Sequence, residues 1–251
     1  MKYFVLHHPK LIERREHVEK RLSDFEICNV EWVEHLNSDS DFVMWLKEWS
    51  KSQLQCGHIS CTVKYYWIFK KMIEQDIQEA IILEDDVVFS DLFKKIIVPQ
   101  HTGYIKLGKG VNWSVPVGSK PIIVHNYGGT EAQYVSINFA KEMMDIFTLD
   151  QTLDIVIWAH ILHTRQPTLC IPVCHQTSLL EGSGITGTNT DNVMPWKTFI
   201  MNWKNVHKTS WNFVLNEYEK KKKAEEDFER VFHKKISIIN CDYIKEYAFP
   251  V

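Results

Sequence analysis

Three consecutive acids, Glu84, Asp85 and Asp86, stand between the apolar runs IIL and VVF. Adjacent carboxylates in a partly buried place repel one another, so they require a cation, protonation or strong hydrogen bonding. On a strand, Glu84 and Asp86 would face the same way and share an ion, whereas Asp85 would meet a ribose or a backbone amide. Mg²⁺ and Mn²⁺ prefer oxygen ligands, and phosphate oxygens often complete their coordination. The pattern predicts a metal-bound diphosphate; the simpler alternative is that the acids cap a turn.

The segments around the acids predict an α/β fold. KYFVL (2–6) is typical of a first parallel strand, and LIERREHVEKRL (11–22) of a surface helix. Apolar residues at helical spacing predict a helix over about 56–79, and AIILEDDVVF (80–89) has the composition of a buried parallel strand. The later predicted elements are strands at 104–108, 121–126 and 132–137 and a helix at 138–147. This alternation favours ligand binding at the carboxyl ends of the strands.

The C-terminal part of the chain has a different character. A stretch rich in Gly, Ser, Thr and Asn at 181–192 is typical of a loop. It is followed by Trp196, Trp203 and Trp211, a charged helical stretch at 219–230 and a strand-like segment at 236–244. We interpret residues 195–251 as an extension packed on a main domain of residues 1–194.

Composition and charge exclude several classes of protein. A chain of 251 residues with 45% hydrophobic and 24% charged residues fits a soluble, folded domain. The net charge of -3 provides no basic field, so we expect no nucleic-acid partner. No apolar run approaches the roughly 18 residues that span a bilayer, so we expect no transmembrane segment. Six cysteines, few for this length, and the lack of a secretory signal pattern predict a cytoplasmic protein.

Several motifs resemble glycosyltransferase family 25, the group of lipooligosaccharide and collagen galactosyltransferases. The strongest are ILEDDV (82–87) and the preceding Gly57, Ile59 and Cys61 element. Further similar pieces follow in the same order along the chain: Arg14-Arg15, YIKLGKG (104–110), EAQYVSINFAKEMM (131–144), Asp154 before a hydrophobic helix, and IPVCHQTS (171–178). The resemblance covers roughly residues 3–190.

The resemblance implies a Rossmann-like GT-A fold, a UDP-sugar donor, a divalent metal at the acids and transfer with inversion. Glu84 and Asp86 would hold Mn²⁺ or Mg²⁺ against the donor diphosphate, with Asp85 nearby. Independently of the likeness, a leaving UDP develops negative charge that a metal stabilises. Inversion also needs a base for the acceptor hydroxyl, and Asp154 matches the family's late Asp. A helix N-cap or first-turn acid is the alternative for Asp154.

Two further residues complete the predicted site. His175 is the candidate for a third ligand of the metal or diphosphate, although a lone His is more often structural. Arg14 would approach phosphate or nucleobase, with solvated surface charge as the alternative. A zinc site at Cys170, Cys174 and neighbouring histidines is disfavoured because the spacing fits no common zinc finger.

The chain also departs from the family pattern. Lys64-Tyr65 stand where the family usually has Ser-His, and His58 stands where an acid is common. If that pair contacts substrate in relatives, donor or acceptor choice would differ here.

The leading hypothesis is an inverting, metal-dependent glycosyltransferase. It would move galactose or glucose from a UDP-sugar to a glycan, a lipooligosaccharide or a hydroxylysine of a protein. One alternative is a GT-A-like scaffold that binds sugar nucleotide or protein without turnover. Another is a phosphohydrolase, which Glu84 at the first position of the acidic cluster disfavours.

Overall fold

The computed structural model describes residues 1–96, 98, 103–108, 117–118, 122–123, 129–166, 169–176 and 194–232. Its strands are β1 (Lys2–Leu6), β2 (Val30–Val33), β3 (Glu79–Glu84), β4 (Val87–Phe89), β5 (Tyr104–Gly108), β6 (Ile122–Ile123), β7 (Ala132–Ser136) and β8 (Leu169–Gln176). Its helices are α1 (Ile12–Asp24), α2 (Asp41–Ser50), α3 (Cys56–Glu74), α4 (Ile137–Met143), α5 (Leu153–Thr164), α6 (Trp196–Met201) and α7 (Trp211–Phe232). Short 3₁₀ helices cover Asp91–Lys95 and Trp203–Asn205.

The strands form one mixed sheet in the order β2-β1-β3-β7-β5-β8-β4, with β6 on β8. β1 is parallel to β2 and β3, and β5 is parallel to β8, whereas β7 runs antiparallel between β3 and β5. β1, β2, β3, β5 and β8 therefore end at one edge of the sheet, where β7 begins. We call this the carboxyl edge. The predicted α/β fold is confirmed, with a Rossmann-like β1-α1-β2 start and a mixed sheet.

Both faces of the sheet are buried, which explains why β3 is apolar at every central position. Alternate residues of β3 belong to two separate cores because side chains alternate across a strand. Ile82 packs with residues of α3, among them Ile59, Val63 and Phe69. On the other face lie Val5, Val18, Leu22, Ile81 and Leu83, which join β1, α1 and β3.

The prediction of one strand over 80–89 was wrong. β3 ends at Glu84, Asp85 and Asp86 form a turn, and β4 pairs antiparallel with β8 at the far side of the sheet. The chain must turn at the acids because β3 and β4 occupy different places in the sheet. Strand alternation therefore no longer explains which way Glu84 and Asp86 point.

Residues 203–218 pack on the rest of the chain through aromatic rings. The Trp211 ring lies 5.8 Å from Phe42, 5.4 Å from Tyr66 and 5.0 Å from Phe147, measured between ring centroids. The Trp211 backbone N–H also donates to the Met144 carbonyl at 2.8 Å. We call Phe42, Tyr66, Phe147 and Trp211 the aromatic seam.

Two predicted segments, the loop at 181–192 and the strand at 236–244, lie outside the described residues. The strand predicted at 121–126 is described only at Ile122–Ile123, and its side chains are not. Among the helices of the described ranges, none has the length and apolar character needed to cross a bilayer.

Candidate functional site

Asp85 is bonded to the end of β1 and to α1. Its Oδ2 accepts hydrogen bonds from His7 Nδ1 at 2.9 Å and from the His8 backbone N–H at 3.3 Å. Its Oδ1 accepts from the Arg14 guanidinium at 3.1 Å. Asp85 is 8% exposed and His7 only 1%, so these contacts are shielded from water. The structure thus places Arg14 beside the acidic motif, where it contacts a carboxylate.

Glu84 points towards α3 and the start of β7. Its Oε1 accepts from the Thr130 hydroxyl and from the Cys61 thiol, whose sulfur lies 3.5 Å away. The Glu84 backbone N–H donates to the Glu131 carbonyl at 2.9 Å. Burial raises the pKa of Glu84, and the neighbouring Asp86 carboxylate raises this pKa further.

Asp86 is, with Glu84, one of the two carboxyls predicted to hold the metal, and it is 8% exposed. Burial raises its pKa, with the charges of Asp85 and Glu131 acting in the same direction and Arg14 opposing them. Buried carboxyls that resist ionisation gain most from a nearby cation, which removes their mutual repulsion. Two such carboxylates fit Mg²⁺ or Mn²⁺, which one or two protein carboxylates and substrate phosphates commonly hold. This donor set is therefore suitable for the predicted metal.

Segment 129–131, just before β7, connects Glu84 with Asp154. The Gly129 N–H donates to Asp154 Oδ2 at 3.0 Å, and the Gly129 carbonyl accepts from Lys106 Nζ at 2.9 Å. The Thr130 carbonyl accepts from the Tyr65 hydroxyl at 2.8 Å. Gly129 has φ +82°, a left-handed conformation that glycine adopts without steric cost. Contacts from β3, β5, α3 and α5 thus fix this segment.

Asp154 lies in the first turn of α5, which is the position that the alternative to a catalytic base predicts, and the N-cap residue of that helix is Thr152. The Asp154 carboxylate reaches the Gly129 N–H instead of capping its own helix. Burial lowers the pKa of His58, and the charge of Asp154 opposes this change. The predicted base and Glu84 therefore belong to one hydrogen-bonded group, joined through segment 129–131.

His175 lies on β8 opposite Val88 of β4 and is half-buried. Its Nδ1 is buried and has no hydrogen-bond partner within the described ranges. In the part of the chain that the structure describes, no three His, Cys, Asp or Glu side chains are grouped so that they could hold a metal ion. Glu84, Asp86 and His175 therefore do not form a ready three-ligand set, and the role of His175 stays a prediction.

Sequence reasoning missed several residues of this site, among them Glu131 and His7. Glu131 is 0% exposed, and its side chain packs directly against Gly108. A Cβ atom added at Gly108 would lie 2.2 Å from the Glu131 carboxyl carbon. The available signals were an acid opening the AQYVS strand, a glycine ending YIKLG, and a histidine pair directly after the first strand. Each signal is weak until the sheet order places these residues at the same edge.

Comparison with known proteins agrees with the sequence resemblance. The family described as Glycosyltransferase family 25 (LPS biosynthesis protein) matches residues 1–117. A protein from Aedes aegypti named Glycosyltransferase 25 family member is 23% identical over an alignment of 133 residues, and the alignment covers 47% of this chain and 21% of that protein. The chain thus spans about a fifth of the length of this relative.

A solved structure was also found, titled "crystal structure of a glycosyltransferase involved in the glycosylation of the major capsid of PBCV-1". It is 16% identical, with a TM-score of 0.31, over 57% of this chain and 63% of that chain. The family match covers β1 to β5 and includes the acidic motif. Residues 1–117 are thus similar to glycosyltransferase family 25, in agreement with the resemblance predicted from the sequence.

Proposed function

We propose that the protein is an inverting, metal-dependent glycosyltransferase. It would move galactose or glucose from a UDP-sugar to a glycan, lipooligosaccharide or hydroxylysine acceptor, in the cytoplasm. The observation that supports this most is the hydrogen-bonded group at the carboxyl edge, which joins Glu84 of the acidic motif to Asp154 through segment 129–131. Open α/β sheets bind ligands at this edge.

Glu84 and Asp86 are the residues that would hold Mn²⁺ or Mg²⁺, and His175 is a further candidate. When bound, the ion supplies positive charge to the departing diphosphate. The Thr130 hydroxyl bonds Oε1 of Glu84 and so fixes the orientation of that carboxylate. Arg14, already oriented by Asp85, would meet the donor phosphates or nucleobase.

Asp154 would remove the proton from the acceptor hydroxyl. The Gly129 N–H donates to Oδ2, which restrains the carboxylate and leaves Oδ1 as the atom that would take the proton. In the described ranges, Oδ1 has no hydrogen-bond donor assigned to it. A base fixed by one backbone N–H keeps its orientation while the acceptor binds.

The test is UDP release from a panel of UDP-sugars with Mn²⁺, with and without EDTA, alongside calorimetry of Mn²⁺ and UDP binding. Wild type should release UDP from one sugar, and EDTA should stop the release. Asp86→Asn should lose Mn²⁺ binding, whereas Asp154→Asn should keep donor binding and lose transfer. Folded wild-type protein that takes up neither Mn²⁺ nor UDP contradicts the proposal.

A second candidate is a GT-A-like scaffold that binds a sugar nucleotide or protein without turnover. The observation that favours it is Lys64-Tyr65, at the position where the family usually has Ser-His. The same assay separates the two candidates, because a scaffold would bind UDP-sugar and Mn²⁺ without any release of UDP. Transfer to an acceptor would exclude it.

A further inference from the structure

Lys64 and Tyr65, the pair that departs from the family pattern, are buried neighbours in the middle of α3. Lys64 is 4% exposed, and its Nζ donates to the His7 carbonyl at 2.6 Å and to Asn37 Oδ1 at 2.8 Å. Tyr65 is 0% exposed, and its hydroxyl donates to the Thr130 carbonyl at 2.8 Å. Both side chains therefore bond backbone carbonyls at the carboxyl edge.

The two carbonyls belong to residues that themselves bond the acidic motif. The ring of His7 donates to Asp85, and the hydroxyl of Thr130 donates to Glu84. Two separate paths thus start from α3. We call them the Lys64 branch, which runs through His7 to Asp85, and the Tyr65 branch, which runs through Thr130 to Glu84.

Burial of these polar groups is unfavourable unless each finds a partner. Burial lowers the pKa of Lys64 to about 8, and nearby acids, among them Asp85, oppose this change. A phenylalanine at 65 and an apolar residue at 64 would fill similar space without a polar group to satisfy. The polar groups are therefore explained best by the carbonyls that they hold.

We propose that Lys64 and Tyr65 are positioning residues that orient the acidic motif for its cation and nucleotide. The Tyr65 branch sets Glu84 for the cation, and the Lys64 branch sets Asp85 for the nucleotide. This rests on the proposed function, because it takes Glu84 as a metal ligand and Asp85 as part of the donor site. Groups that orient a ligand influence affinity without touching the metal.

The Tyr65 branch is tested by Tyr65→Phe in the full chain, with Tyr66→Phe as the matched control. Tyr66 is also fully buried, and its hydroxyl has no hydrogen-bond partner within the described ranges. Free Mn²⁺ measured by electron paramagnetic resonance should show the Kd of Tyr65→Phe raised about 3- to 10-fold. Tyr66→Phe should match wild type. Equal Mn²⁺ affinity in Tyr65→Phe and Tyr66→Phe overturns the assignment.

The Lys64 branch is tested by Lys64→Met, with Lys70→Met on the same helix as the control. Lys70 forms an ion pair with Glu74 at the outer surface. In the presence of Mn²⁺, calorimetry should show UDP binding weakened about 10-fold in Lys64→Met. Lys70→Met should bind UDP as wild type does, and equal UDP affinity in both lysine variants would remove Lys64 from this role.

Thermal unfolding of each variant separates positioning from stability. A merely structural role would lower the melting temperature and leave the affinity of the folded fraction unchanged. If Lys64→Met does not fold, the conservative Tyr65→Phe decides the proposal alone. Wild type that binds neither Mn²⁺ nor UDP overturns the proposed function itself, whereas normal wild-type binding with unaltered variants overturns only this inference.

Discussion

The aromatic seam and the carboxyl edge are both buried, yet they are built from opposite kinds of side chain. In the seam, ring centroids lie between 4.9 and 5.8 Å apart. At the carboxyl edge, the His7 ring bonds the Asp85 carboxylate, the Lys64 ammonium bonds the His7 backbone carbonyl, and the Thr130 hydroxyl bonds Glu84. Apolar rings stabilise a fold when they leave water, whereas buried charges oppose folding unless they are well paired.

Helix α3 belongs to both regions. Tyr66 contacts the rings of Phe147 and Trp211, whereas the preceding residue, Tyr65, donates to the carbonyl of Thr130. Neighbouring residues on a helix point about 100° apart, so one helix can serve both regions. Burial of the seam rings therefore offsets the unfavourable burial of polar groups at the carboxyl edge. Substitutions in the two regions should therefore separate stability from binding.

The largest stability effect is expected for Trp211→Ala in the seam. Trp211 is 1% exposed, so truncation leaves a cavity and should lower the free energy of unfolding by about 3–5 kcal/mol, measured in urea. The control is Phe213→Ala on the same helix, where the ring is 48% exposed and the loss should stay below about 1 kcal/mol. Mn²⁺ affinity of the folded Trp211 variant should equal that of wild type. If Trp211→Ala loses Mn²⁺ affinity but keeps its free energy of unfolding, the seam contributes to binding and not to stability, which contradicts the comparison.

Gly108→Ala, at the carboxyl edge, should lower the free energy of unfolding less than Trp211→Ala does, and it should also change Mn²⁺ affinity. The added Cβ would lie 2.2 Å from Glu131 Oε1, so the Glu131 side chain must move, at a cost of about 1–3 kcal/mol. Because the charge of Glu131 influences both Glu84 and Asp86, Mn²⁺ affinity should change as well.

Gly103→Ala is the matched control for this change. There the nearest heavy atom, Gln166 Oε1, would lie 3.6 Å from an added Cβ, which is an ordinary contact. Urea unfolding and Mn²⁺ titration should therefore give values close to wild type. Equal behaviour of the two alanine variants would show that the Glu131 side chain can be displaced without consequence for the edge.

The fold could be predicted where the signal is local. The pattern at 2–6 and 11–22 predicts β1 and α1 almost to their ends, because apolar periodicity records burial within each segment. The break between β3 and β4 could not be predicted, since β4 pairs with β8, some 85 residues further on. The sequence AIILEDDVVF (80–89) is apolar on both sides of the acids, and nothing in it indicates that its second half pairs with a different strand of the sheet.

The candidate site, like the fold, could be predicted only where the signal is local. The acidic triplet and Asp154 could be selected by residue type and position, because each stands next to an apolar segment. The links between them could not, because Thr130 bonds Glu84 and Tyr65 bonds Thr130 only when α3, β3 and β7 lie side by side. A threonine and a tyrosine are unremarkable in sequence, and only their place in the sheet gives them a role.

The smallest predicted effect is a pH dependence at Lys64. The pKa of this ammonium falls from 10.5 to about 8 on burial, so between these pH values the unfolded chain binds more protons than the folded chain. The free energy of unfolding therefore rises with pH through this interval, and the gain from pH 7 to pH 9 should be about 1 kcal/mol. Lys64→Met lacks the ammonium, so the difference in free energy of unfolding between wild type and this variant, measured in urea, should change by about 1 kcal/mol from pH 7 to pH 9. Lys70→Met should show the same pH dependence as wild type. If the difference in free energy of unfolding between wild type and Lys64→Met stays constant with pH, Lys64 is not buried as a charged group. The polar groups of the carboxyl edge would then oppose folding less than the comparison with the seam requires.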